Sequence, residues 1–153
     1  MENSNATSNK ELVRKYYEYF EQKNYTEAKK LLSDSFMLNI NVTPKPLNRD
    51  EAIEILKTFN TAFPDLRFTF KQQFTDGDYV ISQIVSNGTH KGDFRCIPPT
   101  GRKATINVIA IQRIVNNKIV EATSQLDTLG LLQQIGVVPT TLAELAEHEA
   151  HYR

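Results

Sequence analysis

From Leu66 to Asp127 apolar residues recur mainly at every second position, whereas before Leu66 they recur mainly at helical spacing. That change of period constrains the fold most, because period two demands strands and a 3.6-residue stripe demands helices. Phe68, Phe70 and Phe74, with Gln72 among them, fall on one face of a first strand, and Asp76-Gly77 is a hairpin signal. Tyr79–Thr89 reads as a long strand, followed by a Gly- and Pro-containing loop, Gly92–Gly101. Lys103–Val115 is a further long strand, which Asn116-Asn117 turns into Lys118–Asp127. Strands joined by such short turns are antiparallel neighbours, so this half of the chain is a meander.

The preceding half is mostly helical. Ser8 and Glu11 form a capping-box pair ahead of Leu12, Tyr16, Tyr19 and Phe20, which predicts a helix over 9–22 behind a disordered tail, 1–8. Lys23-Asn24 breaks it, and Thr26 is the expected cap of a short second helix carrying Ala28, Leu31 and Leu32. In 36–42, Phe36, Leu38, Ile40 and Val42 alternate with Met37, Asn39 and Asn41, a strand with one half-polar face that Pro44 and Pro46 end. Asn48 and Glu51 start a third helix through Ile53, Leu56, Phe59, Asn60 and Phe63, stopped at Pro64. After Asp127 the pattern turns helical again over Thr128–Ile135. Thr141 and Glu144 make residues 140–153 a candidate helical tail on a single domain, 9–139. Helices followed by an antiparallel meander make an α+β plan. A curved sheet wrapped on helices encloses a conical cavity suited to a small molecule.

Composition removes several classes of function. A chain of 153 residues with zero formal net charge has no general attraction to nucleic acid. No apolar run is long enough to span a membrane, and MENSNATSNK lacks the apolar segment of a signal peptide, so cytoplasm is the expected location. Cys96 stands alone, which rules out an intrachain disulfide. Gly88, Gly92 and Gly101 do not follow the GxGxxG spacing. Glu144, His148 and His151 share a helical face, but HEAH is not HExxH and no third strong ligand lies nearby, so no metal site is expected.

Two residues are candidates for proton chemistry. On the last strand Glu121, Thr123, Gln125 and Asp127 share one face, and Val120, Ala122, Ser124 and Leu126 the other. If the polar row faces the cavity, Asp127 sits among the apolar walls of the following LGLL. Desolvation would then raise its pKa toward that of a useful acid/base. Asp127 also stands where an N-cap belongs, and helix N–H donors would lower its pKa. His90, at the end of a long strand, can stabilise oxygen charge or simply bond to the adjacent loop. The tyrosines Tyr16, Tyr17 and Tyr19 read as core packing, with a hydroxyl in reach of a cavity.

Four segments carry a family resemblance: Phe63-Pro64-Asp65-Leu66-Arg67, Gly88–Phe94 (GTHKGDF), Ile97–Arg102 (IPPTGR) and Asp127–Gly136 (DTLGLLQQIG). In order and spacing they resemble the SnoaL-like polyketide cyclase (ester cyclase) family, of nuclear-transport-factor-2-like fold, over about residues 9–139. The resemblance implies a cone-shaped barrel, a strongly curved, mainly antiparallel sheet wrapped around N-terminal helices. It also implies intramolecular aldol or isomerisation chemistry on an apolar carbonyl compound, with an aspartate as acid/base and neither metal nor cofactor. Asp127 matches that aspartate, with His90 as its expected partner in stabilising oxygen charge. Tyr16, Asn39, Phe59, Phe63, Asn107, Thr123 and Gln125 are the residues expected around the substrate. Family members usually carry His-Trp where this chain has Ala122-Thr123, so an aromatic wall is expected to be missing beside Asp127. That argues against an unchanged polycyclic substrate. Because the fold also hosts binding modules, a non-catalytic small-molecule-binding or accessory protein is the alternative. The resemblance further implies a homodimer through the outer face of the sheet, to which Asn107, Ile109 and Ile111 belong if Ile106, Val108 and Ala110 face inward.

Overall fold

The computed structural model describes residues 4–139 and 146–147. Four helices and six strands lie within 4–139: α1 (Ser4–Glu21), α2 (Tyr25–Lys30), β1 (Leu32–Ile40), β2 (Leu47–Asn48), α3 (Arg49–Ala62), β3 (Arg67–Asp76), β4 (Tyr79–Thr89), β5 (Lys103–Val115), β6 (Lys118–Leu126) and α4 (Thr128–Gln134). The strands form a single curved sheet in the order β2-β1-β6-β5-β4-β3. Every pairing is antiparallel except β1 with β6, which run parallel. The α+β expectation and the antiparallel meander therefore hold.

The helices cover the concave face. Leu12, Val13, Tyr16, Tyr17 and Phe20 form the buried stripe of α1. Edge-to-face contacts hold that stripe on β3: the Tyr17 and Phe20 rings each lie 4.9 Å from Phe68, and Tyr17 lies 5.4 Å from Phe70. On α3 the capping box of Asn48 and Glu51 forms in both directions, at 2.9 and 3.1 Å. Asp65, in the turn after α3, accepts from the Thr89 amide and hydroxyl, each at 2.7 Å. Those bonds hold its carboxyl below the usual range and tie the helix exit to the end of β4.

Three local expectations need correction. Helix α1 begins at Ser4, so Ser8 lies inside it and is not its cap, and residues 4–8 are not a disordered tail. Helix α2 is capped by Asn24, whose side chain accepts from the Glu27 amide at 3.4 Å, not by Thr26. The shared face of Phe68, Phe70 and Phe74 breaks at a register shift between Phe70 and Gln72. The extra residue reverses the alternation. Gln73 therefore turns inward, donating to Ser82 Oγ, and Phe74 turns outward with 56% of its surface exposed. The reading of 140–153 as a helical tail falls outside the described residues, apart from the exposed helical pair Ala146-Glu147.

Candidate binding cavity

Between the helices and the sheet lies a cavity of about 90 Å³. A water's share of the liquid is about 30 Å³, so the space exceeds what a single water fills. Its walls come from α1 (Tyr16, Tyr17, Phe20), β1 (Phe36, Leu38), α3 and its exit (Phe59, Phe63), β5 (Ile106, Val108, Gln112), β6 (Ala122, Ser124, Leu126) and α4 (Leu131). Ser86 on β4 adds a hydroxyl. No described residue that lines it carries a carboxylate, imidazole, ammonium or guanidinium group.

Strand register explains which residues face inward. Residues directly opposite across an antiparallel pair share a face. Val108 pairs with Leu126, Ala110 with Ser124 and Gln112 with Ala122, so those β6 residues take the concave side of β5. Ile109 pairs with Gln125 and Ile111 with Thr123 on the convex side. A second register shift, between Arg113 and Ile114, makes room for an extra residue near Val120. Ile119 therefore reaches the core despite sharing sequence parity with Glu121.

The polar row of β6 consequently faces away from the cavity. Thr123 and Gln125 lie on the convex face, as do the exposed Asn107 of β5 and Asn39 of β1, whose register partner is Thr123. None of these four lines the cavity, which corrects the expectation that they surround a substrate. Tyr16, Phe59 and Phe63 do line it. The small side chain that opens the wall is Ala122, not Thr123.

Asp127 is exposed and caps α4: its Oδ1 accepts from the Gly130 amide at 2.9 Å, while its own amide donates to Asn107 O at 3.1 Å. A Cβ at Gly130 would stand 2.2 Å from Asp127 Oδ2, so the carboxylate rests on the glycine. Leu126 and Leu131, on either side of it, line the cavity, and Asp127 does not.

His90 is fully buried. Its Nδ1 accepts from the Thr100 amide at 3.2 Å, which places the ring proton on Nε2. Its backbone pairs with Arg102 O and the Gly101 amide, both at 2.8 Å, and its ring lies 5.5 Å from Phe63. These contacts bind the imidazole to the 90–102 loop, outside the cavity wall. Asp127 and His90 are therefore not brought together at the cavity.

Apart from Tyr16, the polar groups that reach the cavity, Tyr17, Ser86, Gln112 and Ser124, were missed as site residues. Tyr17 interacts through its hydroxyl with Gln112 and Ser124. Burial pushes its pKa up to about 12, although both partners pull against the rise. Burial raises Tyr16 as well, followed by the effect of Tyr17. Both phenols are neutral at physiological pH. The sequence held one usable signal, because Gln112 continues the row Ile106, Val108, Ala110 and is its only polar member.

The sequence profile of the SnoaL-like polyketide cyclase family matches residues 10–135. The chain belongs to that family. No curated protein sequence matches it. Among solved structures, a protein classed as a SnoaL-like polyketide cyclase from Jannaschia sp. CCS1 superposes with a TM-score of 0.83 at 18% identity, covering 91% of this chain and 99% of its own. AclR from Streptomyces galilaeus, classed as a hydroxylase, gives a TM-score of 0.79 at 22% identity over 88% of this chain and 99% of its own. A protein classed as a polyketide cyclase from Acidithiobacillus ferrooxidans gives 0.75 at 26% identity, over 88% and 97%. These likenesses support the cone fold of the SnoaL-like, nuclear-transport-factor-2-like group. Among the described residues no helix is long and apolar enough to cross a membrane.

Proposed function

We propose that this SnoaL-like chain binds a neutral, largely apolar small molecule in the cone and does not use its own carboxylates for acid/base chemistry. The observation that carries this reading is the lining of the cavity: apolar walls, neutral hydroxyls and one amide, with no ionised side chain among the described residues. An apolar wall stabilises a ligand by removing its hydrocarbon surface from water. A general base must come within hydrogen-bond reach of the proton it takes, and Asp127 is exposed and committed to α4.

A second reading is acid/base catalysis by Asp127 with His90, of the aldol or isomerisation kind, on an apolar carbonyl compound. Family membership favours it, as does the position of Asp127 between the cavity-lining Leu126 and Leu131. Asp127→Asn separates the two readings. Asn also caps helices well, so the variant keeps its fold. We expect an apolar carbonyl ligand to bind both proteins within about twofold by calorimetry, without turnover above the buffer rate. Turnover by the wild type that disappears in Asp127→Asn would reverse the assignment.

The reading includes a homodimer through the convex face. Phe74, Ile81 and Ile111 are successive register partners across β3, β4 and β5, and Ile109 extends the stripe. Phe74, Ile109 and Ile111 are exposed, a continuous apolar strip of the kind that a second copy covers.

A further inference from the structure

Three buried side-chain atoms among the described residues have no hydrogen-bond partner: Asn60 Oδ1, His90 Nε2 and Gln112 Oε1. Only Gln112 belongs to a residue that lines the cavity. It is 2% exposed, on the concave side of β5, with Val80 of β4 and Ala122 of β6 as register partners. The Tyr17 hydroxyl lies beside Gln112 and Ser124 in the same wall. The Gln112 amide oxygen is thus left as a free, buried acceptor in the cavity wall.

We propose that Gln112 anchors the cavity ligand, and that the ligand is a neutral apolar alcohol: a compact hydrocarbon skeleton with one hydroxyl that donates to Gln112 Oε1. This rests on the binding reading above. A buried acceptor without a donor carries its full desolvation cost, and a ligand hydroxyl removes that cost. A ketone brings a second acceptor and no donor. A carboxylate would lie buried with no cation among the described lining residues. An ammonium would bring three donors and a charge to one amide oxygen, with no counter-charge in the wall. A polyol would leave further hydroxyls against Phe59, Phe63 and Leu131.

The test is an NMR titration of the full chain with four matched ligands: 2-indanol, 2-indanone, indane and indane-2-carboxylate. Wild type is expected to bind 2-indanol about tenfold more tightly than the ketone or the hydrocarbon, with no saturable binding of the carboxylate. In Gln112→Met, which keeps the volume and loses the acceptor, indane binding is expected to persist and the preference for alcohol to vanish. Equal wild-type affinities for alcohol and ketone would overturn the anchor and leave the binding reading standing. So would an alcohol preference that survives in Gln112→Met. Failure of all four ligands to bind would overturn the binding reading and this inference with it. The wild-type comparison decides even if the variant does not fold.

Discussion

The two faces of the sheet are built from the same strands on opposite rules. The concave face carries Ile84, Ile106, Val108 and Ala110, all buried, and its polar residues Ser82, Ser86, Gln112 and Ser124 are neutral. The convex face carries Asn39, Asn107, Thr123, Gln125 and Glu121 beside exposed Ile109 and Ile111. The difference shows where this chain keeps charge. Among the described residues, ionised groups stand outside or at element ends, and the concave face is given to shape and neutral polar groups. On the binding reading proposed above, such a cavity selects a ligand by what it excludes.

Three measurements bear on that contrast, the largest expected effect first. Ile84→Ala, on the concave side between Phe70 and Val108 in register, is expected to lower stability by about 2–4 kcal/mol in urea unfolding, as buried truncations do. A loss below about 1 kcal/mol would show the concave core to be far looser than its burial implies. On the convex side, Ile109→Lys is expected to change the stability of a protomer by no more than about 0.5 kcal/mol. It is also expected to shift the mass by light scattering at micromolar concentration from dimer to monomer. A wild type already monomeric there would remove the partner from the convex face. The third measurement is alkaline. Tyr17 ionises near 12 in the fold and near 10 in the unfolded chain. As pH rises past about 10 the unfolded state therefore loses its proton first, and the fold is expected to lose about 1 kcal/mol by pH 11. Melting temperatures between pH 8 and 11 should fall less steeply in Tyr17→Phe; identical slopes would mean that the phenol is not buried as described.

Much of the fold was legible because period two and turn chemistry are local. Asp76-Gly77, Asn116-Asn117 and the Asn48–Glu51 box set the hairpins and the start of α3 without help from distant residues. The site was less legible, because one inserted residue reverses every side chain after it. The irregularities at Phe70–Gln72 and near Val120 carry no mark in the sequence, yet they decide where Phe74 and Ile119 point. The inward row of β6 was readable only through its pairing with β5. Once Ala110 faces in, so does Ser124, and Thr123 and Gln125 cannot. Asp127 is a case in which local chemistry was enough: an aspartate ahead of Thr-Leu-Gly is an N-cap, and the cap bond to Gly130 forms. His90 could not be placed from its strand alone, since its partner Thr100 lies across a loop.

The parallel pairing of β1 with β6 has a consequence for synthesis. Beyond Ile40 the Asn41 side chain continues the ladder, with Nδ2 donating to Leu126 O at 2.8 Å and Oδ1 accepting the Leu126 amide at 3.0 Å, across 85 positions of chain. A ribosome releases β1 long before its neighbour exists. Until β6 follows, β1 and β5 each lack their partner along one edge. Closing a loop of that length is entropically costly and slow compared with forming the hairpins. The last strand to be made thus inserts between β1 and β5 and joins the two halves. Before it does so the sheet is open between β1 and β5.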